Sequence, residues 1–172
     1  MENYREYLPE LTSTTIFQDI PEEALIELLE AMAPPIRRRP AGEKPSLSDF
    51  NSFWIILRAD PPQSLEPRRF KYDMPKFGEP GMMMAEIPAL SRFLDFIPKT
   101  APKPFEPKPW PFALELLEFT PDSLVKFYSE KVAPAQSVFL RNFLGILAQK
   151  VMDVRRELFL LKDGRDIFNP AP

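Results

Sequence analysis

Neither cysteine nor histidine occurs in this chain of 172 residues. The first absence excludes disulfides, thiolate nucleophiles and cysteine-held iron–sulfur clusters. The second removes the commonest general base and the commonest ligand of transition metals and haem. Together they rule out the usual zinc sites and Ser-His-Asp chemistry. Asp, Glu, Lys and Ser remain, but no constellation of them argues for catalysis, and the chain reads as a non-enzyme. Glycine is scarce, at 5 residues against 22 prolines. Proline locks φ and removes a donor, so regular helix and central strand are confined to the stretches between prolines. An excess of either charge is lacking too: 22 basic and 25 acidic side chains leave a net charge of -3. That gives no global field to collect nucleic acid. No apolar run approaches the roughly 20 residues that span a bilayer. The start, Met1-Glu2-Asn3-Tyr4-Arg5-Glu6, has no apolar stretch of the signal-peptide kind. These absences point to a soluble, cytoplasmic protein without membrane attachment.

What is present is enough apolar material for a core: 44% of residues are hydrophobic and 15 are Phe. After a weak helical start come Asp19-Ile20-Pro21-Glu22-Glu23. Asp19 and Glu22 fit a capping box and Pro21 suits the first turn. Leu25, Leu28, Leu29 and Met32 then share one face, and Pro34-Pro35 stop the helix, predicting helix over 20–33. Residues 36–118 read as strands and turns. Phe53-Trp54-Ile55-Ile56-Leu57 is an apolar run of strand length, Arg69-Phe70-Lys71-Tyr72 alternates, and Ala113–Phe119 is a further strand ended by Thr120-Pro121. Six prolines between Pro98 and Pro111 predict an extended, polyproline-like surface stretch. Thr120 is a candidate N-cap for a short helix through Tyr128.

The last third carries a 4-3 apolar rhythm: Leu140, Leu144, Leu147, Val151, Val154, Leu158 and Leu161. That spacing keeps one seam on one side of a helix, the pattern of a helix that pairs with another. Ala133-Pro134 open this helix and Asp163-Gly164 close it. Its ~28 residues run about 42 Å. Phe139, Phe143 and Phe159 flank the seam and widen the apolar face. The partner helix could come from this chain, with the seam packed inside one subunit, or from a second copy; the second copy is expected, giving a homodimer through the C-terminal helix.

This order of elements resembles the effector domain of the Crp/Fnr transcription regulators. The resemblance rests on Thr15–Leu25 as the opening helix, Gly42-Glu43 before the first long strand, and the strand Trp54-Ile55-Ile56-Leu57. It also rests on Gly81-Met82-Met83-Met84-Ala85-Glu86, with the spacing of that family's Gly-x-x-x-Gly-Glu, and on Asn142–Lys150, similar to its dimerisation helix. It spans roughly residues 10–163. It implies an α+β fold, a cyclic-nucleotide-binding-like β-roll (double-stranded jelly-roll type) with flanking helices and a long C-terminal dimerisation helix. The expected organisation is 1–132 for the roll with its N-terminal helix, 133–164 for the long helix and 165–172 for a tail. The implied function is ligand sensing.

The family's phosphate cassette departs here. Ala85 replaces its glycine, and the Cβ opposes positive φ. Glu86 is retained, Pro88 removes an N–H from the turn, and the cassette arginine is matched at best by Lys99 before Thr100-Ala101. Lysine cannot make the planar guanidinium fork. These changes weigh against a cyclic nucleotide and leave no certain cofactor. Glu86, Lys99, Thr100, Met82 and Met84 are the candidate ligand-binding residues, for a small-molecule effector. Alternation predicts Met82 and Met84 on one face and Met83 on the other. Only eight residues follow Gly164, too few for the family's helix-turn-helix, so direct DNA binding by this chain is not expected. Two alternatives stand beside the sensor. One is a dimeric protein-interaction module of the same fold that has lost ligand binding, and the other is the sensor half of a truncated regulator.

Some features have plainer readings. Arg37-Arg38-Arg39 reads as a strand with alternating solvated positions, balanced by nearby acids, rather than a phosphate patch. Trp54 reads as core, whereas Trp110, set between prolines, reads as more exposed. Pro104-Phe105-Glu106-Pro107 has a PxxP form, which is read as a stiff connection.

Overall fold

The computed structural model describes residues 3–46, 49, 51–62, 77–85, 108–129 and 134–163, with side chains as far as Arg156. Among these residues are four α-helices and one antiparallel sheet of four strands, an α+β arrangement. A 3-10 turn at Tyr4–Tyr7 leads into α1 (Leu8–Ser13), a second at Thr15–Phe17 precedes α2 (Glu22–Met32), and β1 is Ile36–Arg39. Then follow β2 (Phe53–Asp60), β3 (Met83–Met84), β4 (Ala113–Phe119), α3 (Pro121–Ser129) and the long α4 (Ala135–Asp163). The sheet order is β1-β4-β2-β3. Register is fixed by pairs such as Ile36 with Leu117, Ile55 with Leu117 and Trp54 with Met84.

Both faces of the sheet are covered, which is why β2 reads as an unbroken apolar run instead of an alternation. One face (Phe53, Ile55, Leu57, Met83, Leu117 and Phe119) packs with the helices in the main core. The opposite face carries a second cluster of Trp54, Ile56, Trp110, Leu114 and Leu116. A β-bulge changes β2 near its end: Ile56 opposes Leu116 and Arg58 opposes Glu115, so Leu57 is the extra residue. Leu57 keeps the alternation of Phe53 and Ile55 into the main core, and the bulge turns the next side chain, Arg58, onto the N-terminal helices. There Arg58 bonds Glu10 and lies 4.4 Å above the Tyr7 ring.

The helical expectations hold unevenly. Thr120 caps α3, accepting from the Ser123 N–H at 3.1 Å. The capping box at α2 does not form. Pro21 occupies the cap position and the helix begins at Glu22. Asp19, at φ 66, turns away and accepts from Arg141 Nη2 of α4 at 2.9 Å. Ala33, in the left-handed conformation, ends α2 before Pro34.

The N-terminal half of α4 belongs to the main core. Phe139 and Phe143 stack with planes 6° apart, and Phe143 meets Phe53 at 5.5 Å. Asn142 is fully buried, and its amide donates to the Ile16 carbonyl at 3.2 Å and the Gln18 carbonyl at 2.7 Å. Of the predicted seam, Leu140 and Leu147 are half-buried against this core. Leu144, Val151 and Val154 are exposed. The side chains of Leu158 and Leu161 lie outside the described residues, as do Arg69–Tyr72 and Pro104–Pro107. No described helix is long and apolar enough to cross a membrane.

Candidate functional site

The short strand β3 is where the candidate ligand residues enter the fold. Gly81 approaches it with φ 84, its N–H donating to the Ile56 carbonyl at 2.7 Å. A Cβ at Gly81 would lie 2.8 Å from Thr14 Cγ2, so both conformation and space demand glycine. The Ile56 N–H returns a bond to the Met82 carbonyl at 3.0 Å. From this anchorage the methionines alternate as predicted. Met83 is buried in the main core, while Met82 and Met84 pack against the second cluster. Ala85 takes φ 59, against the expectation that its Cβ would oppose positive φ. The turn holds this alanine in the left-handed region, with a local cost of about 1–2 kcal/mol. Glu86, Lys99 and Thr100 lie outside the described residues.

The second cluster continues from the methionines into an aromatic group that the sequence did not announce. Trp110 is 7% exposed, correcting the expectation that it stands out between prolines. It lies edge-on to Trp54 at 5.8 Å and parallel to Phe77 at 6.0 Å, with Phe112 at 5.5 Å from Phe77. Its backbone is held on both sides: the Gly42 N–H donates to its carbonyl at 2.8 Å, and its own N–H donates to the Glu43 carbonyl at 2.9 Å. This pairing to the 42–43 turn, invisible in a proline-rich string, is what buries the indole. Its Nε1 is buried without an acceptor among the described residues.

Beside it, Arg39 is clamped. Nη1 donates to Glu43 Oε1 at 2.9 Å and Nη2 to Asp49 Oδ1 at 2.8 Å, while Nε is buried with no acceptor among the described residues. Burial disfavours its charge, but Asp49 and Glu43 outweigh that and raise its pKa. The other arginines of β1 are also paired, Arg37 with Glu118 at 3.0 Å and Arg38 with Glu115 at 2.8 Å. The strand and its balancing acids are therefore as expected, but the solvated positions do not alternate, since Arg37 and Arg38 are both exposed. An open cleft of about 600 Å³ lies over the strand ends between Arg38 and Arg58, but Glu115 and Glu10 neutralise both guanidiniums. Among the described residues it offers no free cation for phosphate. Nor do the described residues include a cluster of Asp or Glu groups that could hold a metal ion.

One contact joins β3 to the long helix. Lys150 Nζ donates to the Met83 carbonyl at 3.0 Å. Phe139, Phe143, Ile146 and Lys150 follow one another on the core-facing side of α4, so the lysine continues an apolar stripe. A lone charge at that register was the only signal of this contact in the sequence. From Val151 through Arg156 every side chain is exposed. No model of a known protein family matches this sequence, and none of the curated proteins matches it.

Proposed function

We propose that this chain is a non-catalytic, ligand-sensing regulatory domain with a cyclic-nucleotide-binding-like β-roll, working in the cytoplasm as a homodimer through α4. The observation that carries the reading is the Lys150–Met83 bond. It ties the strand bearing Met82 and Met84 directly to the helix bearing the 4-3 seam. A ligand that shifted β3 would thereby shift the seam at Leu147 and Val151, the two seam positions flanking Lys150. Glu86, Lys99 and Thr100 complete the ligand contacts in this reading.

Calorimetry with cyclic mono- and dinucleotides and phosphorylated metabolites tests it. Heat of binding is expected in the native chain. Lys150→Met is expected to retain binding while uncoupling it from any ligand-dependent change in hydrogen exchange along α4. Absence of heat with every compound sinks the sensor reading. One observation favours the interaction module that has lost its ligand: Trp54, Ile56, Leu114 and Leu116 are each at most 2% exposed, covered within the fold. That module would self-associate normally and bind none of the panel.

A further inference from the structure

β1 lies at one edge of the sheet, with β4 as its neighbour on the inner side. The Glu118 N–H donates to the Pro35 carbonyl, and the same register pairs Arg37 with Leu116 and Arg39 with Leu114. Bonded residues alternate in an antiparallel ladder, so Arg37 and Arg39 turn their backbone groups to β4 while Ile36 and Arg38 turn theirs outward. No described residue bonds the outward N–H and carbonyl groups of Ile36 and Arg38. The preceding outward carbonyl, that of Pro34, accepts from the Tyr4 hydroxyl at 2.8 Å, which marks one end of the open stretch.

There is room beside this edge. An open cleft of about 290 Å³ is lined by Asn3, Glu6, Tyr7, Ile36 and Arg38, and it shares Arg38 with the larger cleft over the strand ends. One groove therefore passes along β1 and on to Asp60. Its charge is opposite to what the arginine run suggests. Arg39 serves Glu43 and Asp49, Arg58 is flanked by Glu6, Glu10 and Glu115, and Glu115 is also the partner of Arg38. Asp60 lines the groove, exposed and with no described cation paired to it. Six carboxylates thus stand against three guanidiniums, and the field favours an incoming cation.

We propose that the outer edge of β1 is a docking site for an extended, lysine- or arginine-bearing segment of another protein, which adds a strand to the sheet. Main-chain bonds to Ile36 and Arg38 hold the segment, as in other strand additions. Its alternate side chains lay their stems beside Ile36 and Tyr7 and carry their cations toward Glu6 and Asp60. A second copy of this chain is the poorer occupant. Laid antiparallel and centred on Arg37 or Arg38, it sets arginine directly opposite arginine, which destabilises the pair. The surface lies at the opposite edge of the sheet from β3 and leaves α4 to the homodimer.

The test uses the full chain labelled with nitrogen-15 and a short capped peptide of alternating valine and lysine. Bound peptide is expected to slow hydrogen exchange at the Ile36 and Arg38 amides roughly tenfold, while Arg37 and Arg39, already bonded to β4, change little. The same peptide N-methylated at alternate residues, and a version with glutamate in place of lysine, should each bind at least about tenfold more weakly. Arg38→Pro removes one outward N–H at a position where an edge strand tolerates proline, and should weaken binding by a similar factor, whereas Arg38→Gln keeps the N–H and should bind within about twofold of the native chain. Asp60→Asn, at an exposed position, should weaken binding about threefold at low salt. The proposal is overturned if the peptide leaves the Ile36 and Arg38 amides unprotected, or if the N-methylated or glutamate peptide binds as well as the first. Protection of those amides that rises with protein concentration alone would assign the edge to a second copy and overturn it too.

Discussion

At the scale of single residues, backbone conformation and close approach set the constraints near β3. Gly81 and Gly42 have nearly the same positive φ, 84 and 81, yet a Cβ added at Gly42 would meet no described atom within 4 Å, whereas one at Gly81 would press on Thr14. Gly42→Ala should therefore cost only the left-handed penalty, about 1 kcal/mol, and Gly81→Ala distinctly more, about 2–3 kcal/mol, in urea unfolding. Ala85→Gly should work the other way. Relief of φ 59 outweighs the added freedom of the unfolded chain and stabilises by about 0.5–1 kcal/mol. The glycine spacing was legible in the sequence, because scarce glycines stand out. The conformation of Ala85 was not, because the surrounding turn imposes it.

Asp49 supplies a pH dependence at the same scale. Burial works to raise its pKa, but bonds from the Ser46 N–H and hydroxyl and the Arg39 guanidinium outweigh it and hold the carboxyl below its ordinary value. A lowered folded-state pKa means the folded protein binds its proton less readily than the unfolded chain. Asp49 thus contributes stability above about pH 4, and that contribution disappears as pH falls through the folded-state value. Asp49→Asn should flatten the acid limb of a stability-against-pH curve measured by urea unfolding. A curve with the native slope would refute the assignment.

At the scale of elements, strands bounded by local signals were readable and caps with distant partners were not. β4 runs from Ala113 to Phe119 as read, since Thr120-Pro121 ends a strand and starts a helix by local chemistry alone. Asp19 looked like a cap for α2, but Arg141, far along the chain, draws its carboxylate away. Trp110 was misjudged for a similar reason: its burial depends on backbone pairing with the 42–43 turn. Asn142 is the element-level joint that no periodicity announces, a polar residue within an apolar stripe. Asn142→Ala should strand the carbonyls of Ile16 and Gln18 and cost about 1–3 kcal/mol. Hydrogen exchange should accelerate first in the Thr15–Gln18 turn and the adjoining turns of α4. Uniform acceleration across the sheet would show that the joint is not local.

At the scale of the whole molecule, the seam and the core divide α4 between them. Phe139, Asn142, Phe143 and Ile146 hold the helix to the body, while Leu144, Val151 and Val154 are 61%, 55% and 55% exposed. Because these three contribute little to the main core, changing all of them to Glu should leave the fold's Tm within a few degrees. The same triple substitution should convert a dimer to a monomer in sedimentation equilibrium. A native chain that sediments as a monomer would overturn the expectation. The heptad spacing was fully legible from sequence; which of its positions the body claims depends on packing geometry that spacing does not encode.

The Lys150 contact has a mechanical consequence. It is the last described bond between α4 and the sheet, and the helix continues through Asp163. The stretch from Lys150 to Asp163 makes an arm of roughly 20 Å at about 1.5 Å per residue. A tilt of about 10° at the Met83 carbonyl would sweep the tip of that arm by roughly 3 Å. A small tilt imposed at a two-residue strand would thus be enlarged along the helix into a movement of several ångströms at its far end.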